Sequence, residues 1–322
     1  MSVIAFAKNW NGKFKNSTYE LVSYTKELAN KLYTNLIVLS IGEVSYDELK
    51  TLGKYGADRV IALNDAQFNV LTSRAYAKVI SQLADKESAS VIVMSDNNSG
   101  KAIAPRVSVQ MKAGMVAAVQ ELPIDLDPFV VKKRVFSGKA FGHVQIDSEK
   151  KVLTIAKNCF GLVENQVDVS IEEFTPEVDA SLFKIQVIEE EEQKDKIILS
   201  DADLVVAAGR GMRSPENWGP VEELAEVLGA ATACSRPVSD EGWRGHEEHV
   251  GQTGKVIAPK LYIAAGISGA IQHVAGISRS KCIVAINTDP EAPIFGVADY
   301  GIVGDVMDVL PRLTEAFKNS KS

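Results

Sequence analysis

Apolar and polar positions follow two alternating rhythms along the first third of the chain. The short apolar runs SVIAFAK, NLIVLSIG, DRVIALN and ASVIVMS read as buried strands. Between them, Leu21, Tyr24, Leu28 and Leu32 recur at helical spacing, and so do Leu71, Ala75, Val79 and Leu83. Ser17 or Thr18 stands where the first of these helices would be capped. The segment SGKAIAPRVSVQM follows the fourth run. Buried strands alternating with amphipathic helices predict a parallel sheet with helices on both faces.

The rhythm changes after about residue 114. MVAAVQEL, VVKKRVFSG, HVQIDS and KVLTIAKN have strong β propensity with no helical stretch between them. They predict hairpins or antiparallel strands added to the first sheet. Next comes the acidic run Glu189 to Lys196, which is expensive to bury and reads as a solvated link. The alternation then restarts. DLVVAAG, ATAC, KLYIAAG, KCIVAIN and DYGIVGD read as strands. Helices are expected through Val221, Leu224, Ala225 and Leu228, from Ser268 through SGAIQHVAG, and over VMDVLPRLTEAF. The expected fold is therefore α/β in two domains. Residues 1–190 form a parallel α/β domain with added antiparallel strands, 191–198 a link, and 199–322 a doubly wound α/β domain.

Composition narrows the function. Apolar residues make up 46% and charged residues 24% of the 322, as in ordinary globular proteins. The balance of 35 basic and 42 acidic residues, net −7, disfavours a nucleic-acid backbone binder, and none is expected as a partner. No apolar run approaches the ~18 residues of a membrane span, so no membrane insertion is expected. MSVIAFAKNW lacks the basic head of a secretory signal, and the three cysteines, Cys159, Cys234 and Cys282, are too scattered for a disulfide framework. A reduced, cytoplasmic protein is expected, or a mitochondrial-matrix one in a eukaryote.

Ligands of open parallel sheets bind outside the carboxyl ends of the strands. Here those ends carry Gly209, Arg210 and Gly211; Ser235 and Arg236; Gly266, Ile267, Ser268 and Gly269; Asn287; and Asp305. Glycines let backbone amides approach phosphate, and an arginine offers a planar fork to a pyrophosphate oxygen. Asn287 and Asp305 can bond adenine edges or ribose hydroxyls. One long dinucleotide would suit all five ends. GRGMRS begins like a dinucleotide fingerprint but lacks its third glycine, and VGQTGK has neither the spacing nor the hydroxyl of a P-loop. HEEH, His246 to His249, misses the i, i+4 spacing of a zinc helix and lies among glycines, which reads as a solvated loop. His273 sits beside the ligand edge. A helical histidine is ordinarily structural, and this location admits a functional role as well.

The run HVGQTGKVIAPKLYIAAGISGAIQHVAGISRSKCIVAINTDPEAPIFGVADYGIVGD resembles the C-terminal domain of electron transfer flavoprotein alpha subunits. VGQTGK, APKLYIA, GISGAIQH, AINTDPEAPIF and ADYGIVGD stand in that family's order and spacing. GRG and the pair Ser235–Arg236 match upstream, and GKAIAPRV in the first half resembles a family helix. The resemblance implies one FAD, held mainly by this chain, and a heterodimer with a beta subunit contacted by the first domain. It implies an electron carrier between flavin dehydrogenases and a quinone reductase or other acceptor protein, with the FAD domain pivoting on the acidic link. Some family members instead oxidise NADH by electron bifurcation with a second flavin. Carried onto this chain, Arg210 and Ser235 would hold phosphates or the ribityl region, and Arg236 would lie along the flavin ring. Gln252 and Thr253, after Gly251, would face the isoalloxazine. Ser268, Gly269, Ala270, Ile271, Gln272 and His273 would wrap the pyrophosphate and ribityl chain, with His273 near flavin O2. Asn287 and Asp305 would bind the adenosine end. The family resemblance calls for no catalytic residue and no metal.

Overall fold

The computed structural model describes residues 2–185, 187–189 and 197–320. Apart from Glu189, the acidic run expected as a link lies outside the described residues. The chain divides into two compact units, Met1–Phe136 with Ala140–Glu190, and Ser137–Lys139 with Glu191–Ser322.

The first unit opens with the expected alternation. Strands β1 (Ser2–Ala7), β2 (Asn35–Ile41), β3 (Arg59–Leu63) and β4 (Ala89–Ser95) interleave with helices α1 (Asn16–Lys31), α2 (Tyr46–Lys50), α3 (Ser73–Lys86) and α4 (Asn98–Met111). Then follow β5 (Gly114–Val119), β6 (Asp125–Leu126), β7 (Phe129–Val135), β8 (Ala140–Ile146), β9 (Lys151–Ile155) and β10 (Ser170–Glu173). All join one sheet in the order β10-β3-β2-β1-β4-β9-β5-β7-β6, with β8 paired to β7. Alternate strand residues face opposite cores. Val3, Ala5 and Val38 pack with Leu21, Tyr24 and Leu28 of α1. Ile4, Phe6 and Leu39 pack with Tyr76, Val79 and Leu83 of α3 and Val107 of α4.

Two expectations need correction. MVAAVQEL and KVLTIAKN were expected as hairpin or antiparallel additions, but β5 and β9 are parallel members of the main sheet, β9 lying between β4 and β5. Among the described strands only β7 runs against the others, pairing antiparallel with β5, β6 and β8. The first helix starts at Asn16 with Lys15 in the cap position, not after Ser17 or Thr18. The Thr18 hydroxyl instead donates to the Lys8 carbonyl (2.9 Å) and ties the helix to the end of β1.

The second unit has five strands among its described residues: β11 (Leu204–Ala208), β12 (Ala231–Cys234), β13 (Leu261–Ala265), β14 (Cys282–Asn287) and β15 (Tyr300–Val303). They are all parallel, in the order β12-β11-β13-β14-β15. Helices α5 (Gly219–Leu228), α6 (Arg236–Asp240), α7 (Ile271–Ile277) and α8 (Val306–Ser320) connect or follow them. One face of the sheet, including Val205, Ala207, Tyr262 and Ala264, packs against Ile277 of α7. The other, including Val206, Ala208, Ile263 and Ile286, packs against Val221 and Leu224 of α5 and Leu310 of α8. This is the expected doubly wound sheet. Its strand order reverses between β11 and β13, which is where such sheets open a crevice for a ligand.

Candidate functional site

The crevice is set by backbone packed directly on backbone. The Gly209 N–H donates to the Ala265 carbonyl (2.9 Å), and the Gly211 N–H to the Gly266 carbonyl (3.0 Å). A Cβ on Gly211 would lie 2.6 Å from the Gly266 Cα, and Gly266 itself has φ +61°. Only glycine lets the two turns after β11 and β13 meet this closely. Arg210 stands exposed between the two upstream glycines, 3.6 Å from the Glu241 carboxylate.

The remaining expected residues are brought to the same edge by a chain of hydrogen bonds. The Ser235 N–H donates to Ala208 (3.1 Å), fixing the turn after β12 against β11. Ser235 is buried, and Arg236 opens α6 exposed, paired with Asp240 at 3.1 Å. The Val250 N–H donates to the Cys234 carbonyl (3.0 Å), so the segment after His249 runs beside the end of β12. Gly251 lies under α7, where a Cβ on Gly276 would meet its Cα at 2.6 Å. The Gln252 N–H donates to the Gln272 carbonyl (2.8 Å), leaving the side chains of Gln252 and Thr253 exposed. After β13, Ser268, Ala270, Ile271 and Gln272 are exposed and Gly269 is buried against Ile294. The helix here starts at Ile271, with Ala270 as its cap, and not at Ser268 as expected; the Ser268 carbonyl accepts from the Ile294 N–H instead (3.0 Å).

Asn287 and Asp305 are both engaged by the protein. The Asn287 amide donates to the Ile267 carbonyl (3.0 Å) and accepts from the Asp289 N–H (3.1 Å). One Asp305 oxygen accepts from the Met307 N–H (3.0 Å), capping α8, and the other pairs with Arg213. Arg213 holds φ +71°, and the sequence reading missed it; the second arginine of GRGMRS was its signal.

The HEEH segment corrects another expectation. Its first half, His246 and Glu247, is exposed as expected, but its second half is not solvated: His249 is 2% exposed and Glu248 4%. The Arg244 guanidinium forks onto both Glu248 oxygens (2.9 and 2.8 Å), also reaches Glu222 (2.8 Å), and lies over the Trp218 ring at 5.6 Å. The Glu248 partnership holds Arg244 above its ordinary range. This clamp seats the loop that leads into Gln252 and Thr253. Burial, with His246 and Arg236 nearby, lowers the His249 pKa, while Asp240 opposes the shift. Burial, reinforced by Glu248, pushes the Cys234 thiol up to about 12, so it stays protonated. Among the described residues no His, Cys, Asp and Glu group is arranged to hold a metal ion.

His273 is also buried, 6% exposed. Burial lowers its pKa to about 4, the nearby His249 adds to that, and the Val250 backbone opposes it. Its Nε2 lies 2.9 Å from the Tyr262 hydroxyl, and its Nδ1 has no hydrogen-bond partner. Three arginines with exposed amide and hydroxyl groups suit a phosphate-bearing, ring-containing cofactor. The fold and its switch-point edge define a two-unit α/β protein that binds a dinucleotide cofactor.

Comparison with known proteins names the class. The electron transfer flavoprotein domain model matches residues 3–179, and the electron transfer flavoprotein FAD-binding domain model matches residues 198–278. The chain is 36% identical over 319 residues to the electron transfer flavoprotein subunit alpha of Bacillus subtilis (strain 168), covering 98% of this chain and 97% of that one. It is 36% identical over 335 residues to the corresponding subunit of Megasphaera elsdenii, with 99% and 97% covered. It is 31% identical over 358 residues to the acryloyl-CoA reductase electron transfer subunit beta of Anaerotignum propionicum, with 98% and 95% covered. The chain belongs to the electron transfer flavoprotein alpha-subunit family. Its cofactor is FAD, and its function is electron transfer. Among the described residues no helix is long and apolar enough to cross a membrane.

Proposed function

We propose that this chain, paired with a beta subunit through its first unit, takes electrons from flavin dehydrogenases and delivers them to a quinone reductase or another acceptor protein. FAD, when bound, supplies the redox chemistry on its isoalloxazine ring. The chain's own residues bind, orient and tune. Arg210 and Ser235 would hold phosphate or ribityl oxygens, with the turn Ser268 to Gln272 around them. Arg236 would place its charge along the ring, and its exposed pair with Asp240 is weak enough to exchange for a ligand oxygen. Gln252 and Thr253 would face the ring, on a loop held from below by Gln272 and from the side by the Arg244–Glu248 clamp. Asn287 and Asp305 would meet the adenosine end with the capacity their internal bonds leave over. An electron carrier needs no acid, base or nucleophile on the protein.

The observation that carries this reading is the switch-point edge, where five strand ends are tied together beneath exposed arginine, amide and hydroxyl groups. The test is extraction of the purified heterodimer. It should be yellow and release FAD, one per heterodimer, without oxidising NADH. Release of FMN alone, or of NAD with no flavin, refutes the cofactor assignment. A second flavin together with NADH oxidation refutes the simple carrier in favour of a bifurcating complex.

A further inference from the structure

Arg213 stands where a residue with a side chain rarely stands. Among the described residues of the second unit it is the one non-glycine residue with positive φ, at φ +71° and ψ −33°. The Ser214 N–H donates to the Met212 carbonyl (2.9 Å), which closes a γ-turn of the strained hand with Arg213 at its apex. The turn is held from both sides. The Gly211 N–H donates to the Gly266 carbonyl (3.0 Å), and the buried Met212 side chain shares a core with Val306 and Leu310 of α8. The Met212 carbonyl also accepts from the Asn217 amide (2.9 Å). Backbone strain persists where the surroundings fix it this firmly, and it gathers at ligand sites. A glycine would occupy the apex without that strain.

The turn aims the guanidinium along the ligand edge. Arg213 follows β11 and Asp305 follows β15, with β13 and β14 between them, yet the two side chains form an ion pair. That pair adds little to the fold, because 64% of the Arg213 side chain is exposed and such pairs are weak. Nor does α8 depend on it, since the other Asp305 oxygen already accepts from the Met307 N–H (3.0 Å) and caps the helix. The remaining N–H groups of the guanidinium have no partner among the described residues. We propose that Arg213 is a further cofactor-binding residue, which holds the adenosine half of FAD while Asp305 keeps its side chain in place. This rests on the FAD reading above. A planar cation suits that half of the cofactor, because it packs on an aromatic ring and donates to phosphate or ribose oxygens.

The test compares Arg213→Gln with Arg213→Gly in the full chain with its beta subunit, stripped of FAD. Both variants lose the guanidinium, and only the glycine relieves the turn. FAD affinity is read from flavin fluorescence, and the affinity of ADP, which carries the adenosine half alone, from its displacement of FAD. Both ligands should bind about tenfold more weakly to either variant, as loss of one charge-assisted contact gives. In thermal unfolding without ligand, Arg213→Gly should melt above Arg213→Gln. Unchanged FAD and ADP affinities make the arginine merely structural and overturn the proposal. A loss for FAD with none for ADP puts Arg213 at the flavin half and overturns it too. A glycine variant no more stable than the glutamine one removes the strain on which the inference stands. Wild type that binds no FAD overturns the underlying cofactor reading, on which the melting comparison does not depend.

Discussion

Lowering the pH should destabilise the second unit through His273. The ring ionises at about 4 in the folded chain, against 6.5 ordinarily, because it is buried. The unfolded chain therefore binds more protons between those values, and stability falls as pH drops through that window. The loss begins below about 6.5 and is complete near 4, where both states are protonated. A gap of about 2.5 units at 1.36 kcal/mol each gives a loss of about 3 kcal/mol. The pKa of His249 is also lowered, so the useful quantity is a difference. Urea unfolding of FAD-free wild type and His273→Gln, followed by tryptophan fluorescence from about pH 7.5 to 4.5, isolates it. The variant should be less stable at neutral pH, having lost the Tyr262 hydrogen bond, and its curve should be flatter on the acid side. Parallel curves would refute the buried, neutral ring. A direct titration of His273 with a midpoint above 6 would do the same.

Arg244→Met should cost about 3–5 kcal/mol, because it strands the buried Glu248 carboxylate, and Arg244→Met with Glu248→Leu should recover most of it in thermal unfolding. A double variant no more stable than the single one would mean the clamp is not what the first change removes. Gly211→Ala should cost about 1–3 kcal/mol, since the new Cβ meets backbone across the crevice, and FAD affinity should fall with it. Gly219→Ala, at a helical position with open space around it, is its control and should stay within about 0.5 kcal/mol.

The second unit was legible because its signals are local. Each strand is a short apolar run, and the rule that ligands sit at carboxyl ends needs no knowledge of strand order. The first unit was harder. KVLTIAKN carries the same β propensity whether it pairs parallel or antiparallel, so nothing in it reveals that β9 lies between β4 and β5. The polar edge strand β10, with sequence SIEE, carries no apolar pattern at all, and its pairing with β3 decides its state. HEEH looked solvated because its glycines and charges suggest a loop. Its second half, Glu248 and His249, is buried by partners far along the chain or outside the motif, Cys234, Arg244 and Trp218, none of which a local window weighs. Tyr262 hides inside an unremarkable strand, and only its distance to His273 shows the hydrogen bond between them.

The late insertion of β9 shapes how the first unit is made. A chain leaving the ribosome N-terminus first can assemble β1 to β4 early and the β7–β8 hairpin next. β9 follows both in sequence, yet it is the strand that joins β4 to β5. Until residue 155 has been delivered, the nascent sheet is in two pieces, each with an unpaired inner edge of the kind that recruits other chains. The apolar β4, destined for the middle of the sheet, is the more hazardous of the two. Synthesis that stalls in the turn before β9 should leave the chain dependent on holding chaperones. A cut between β8 and β9 should release a fragment that aggregates, whereas one between the exposed residues Lys184 and Ile185, beyond the last side chains packed on this core, should spare the sheet.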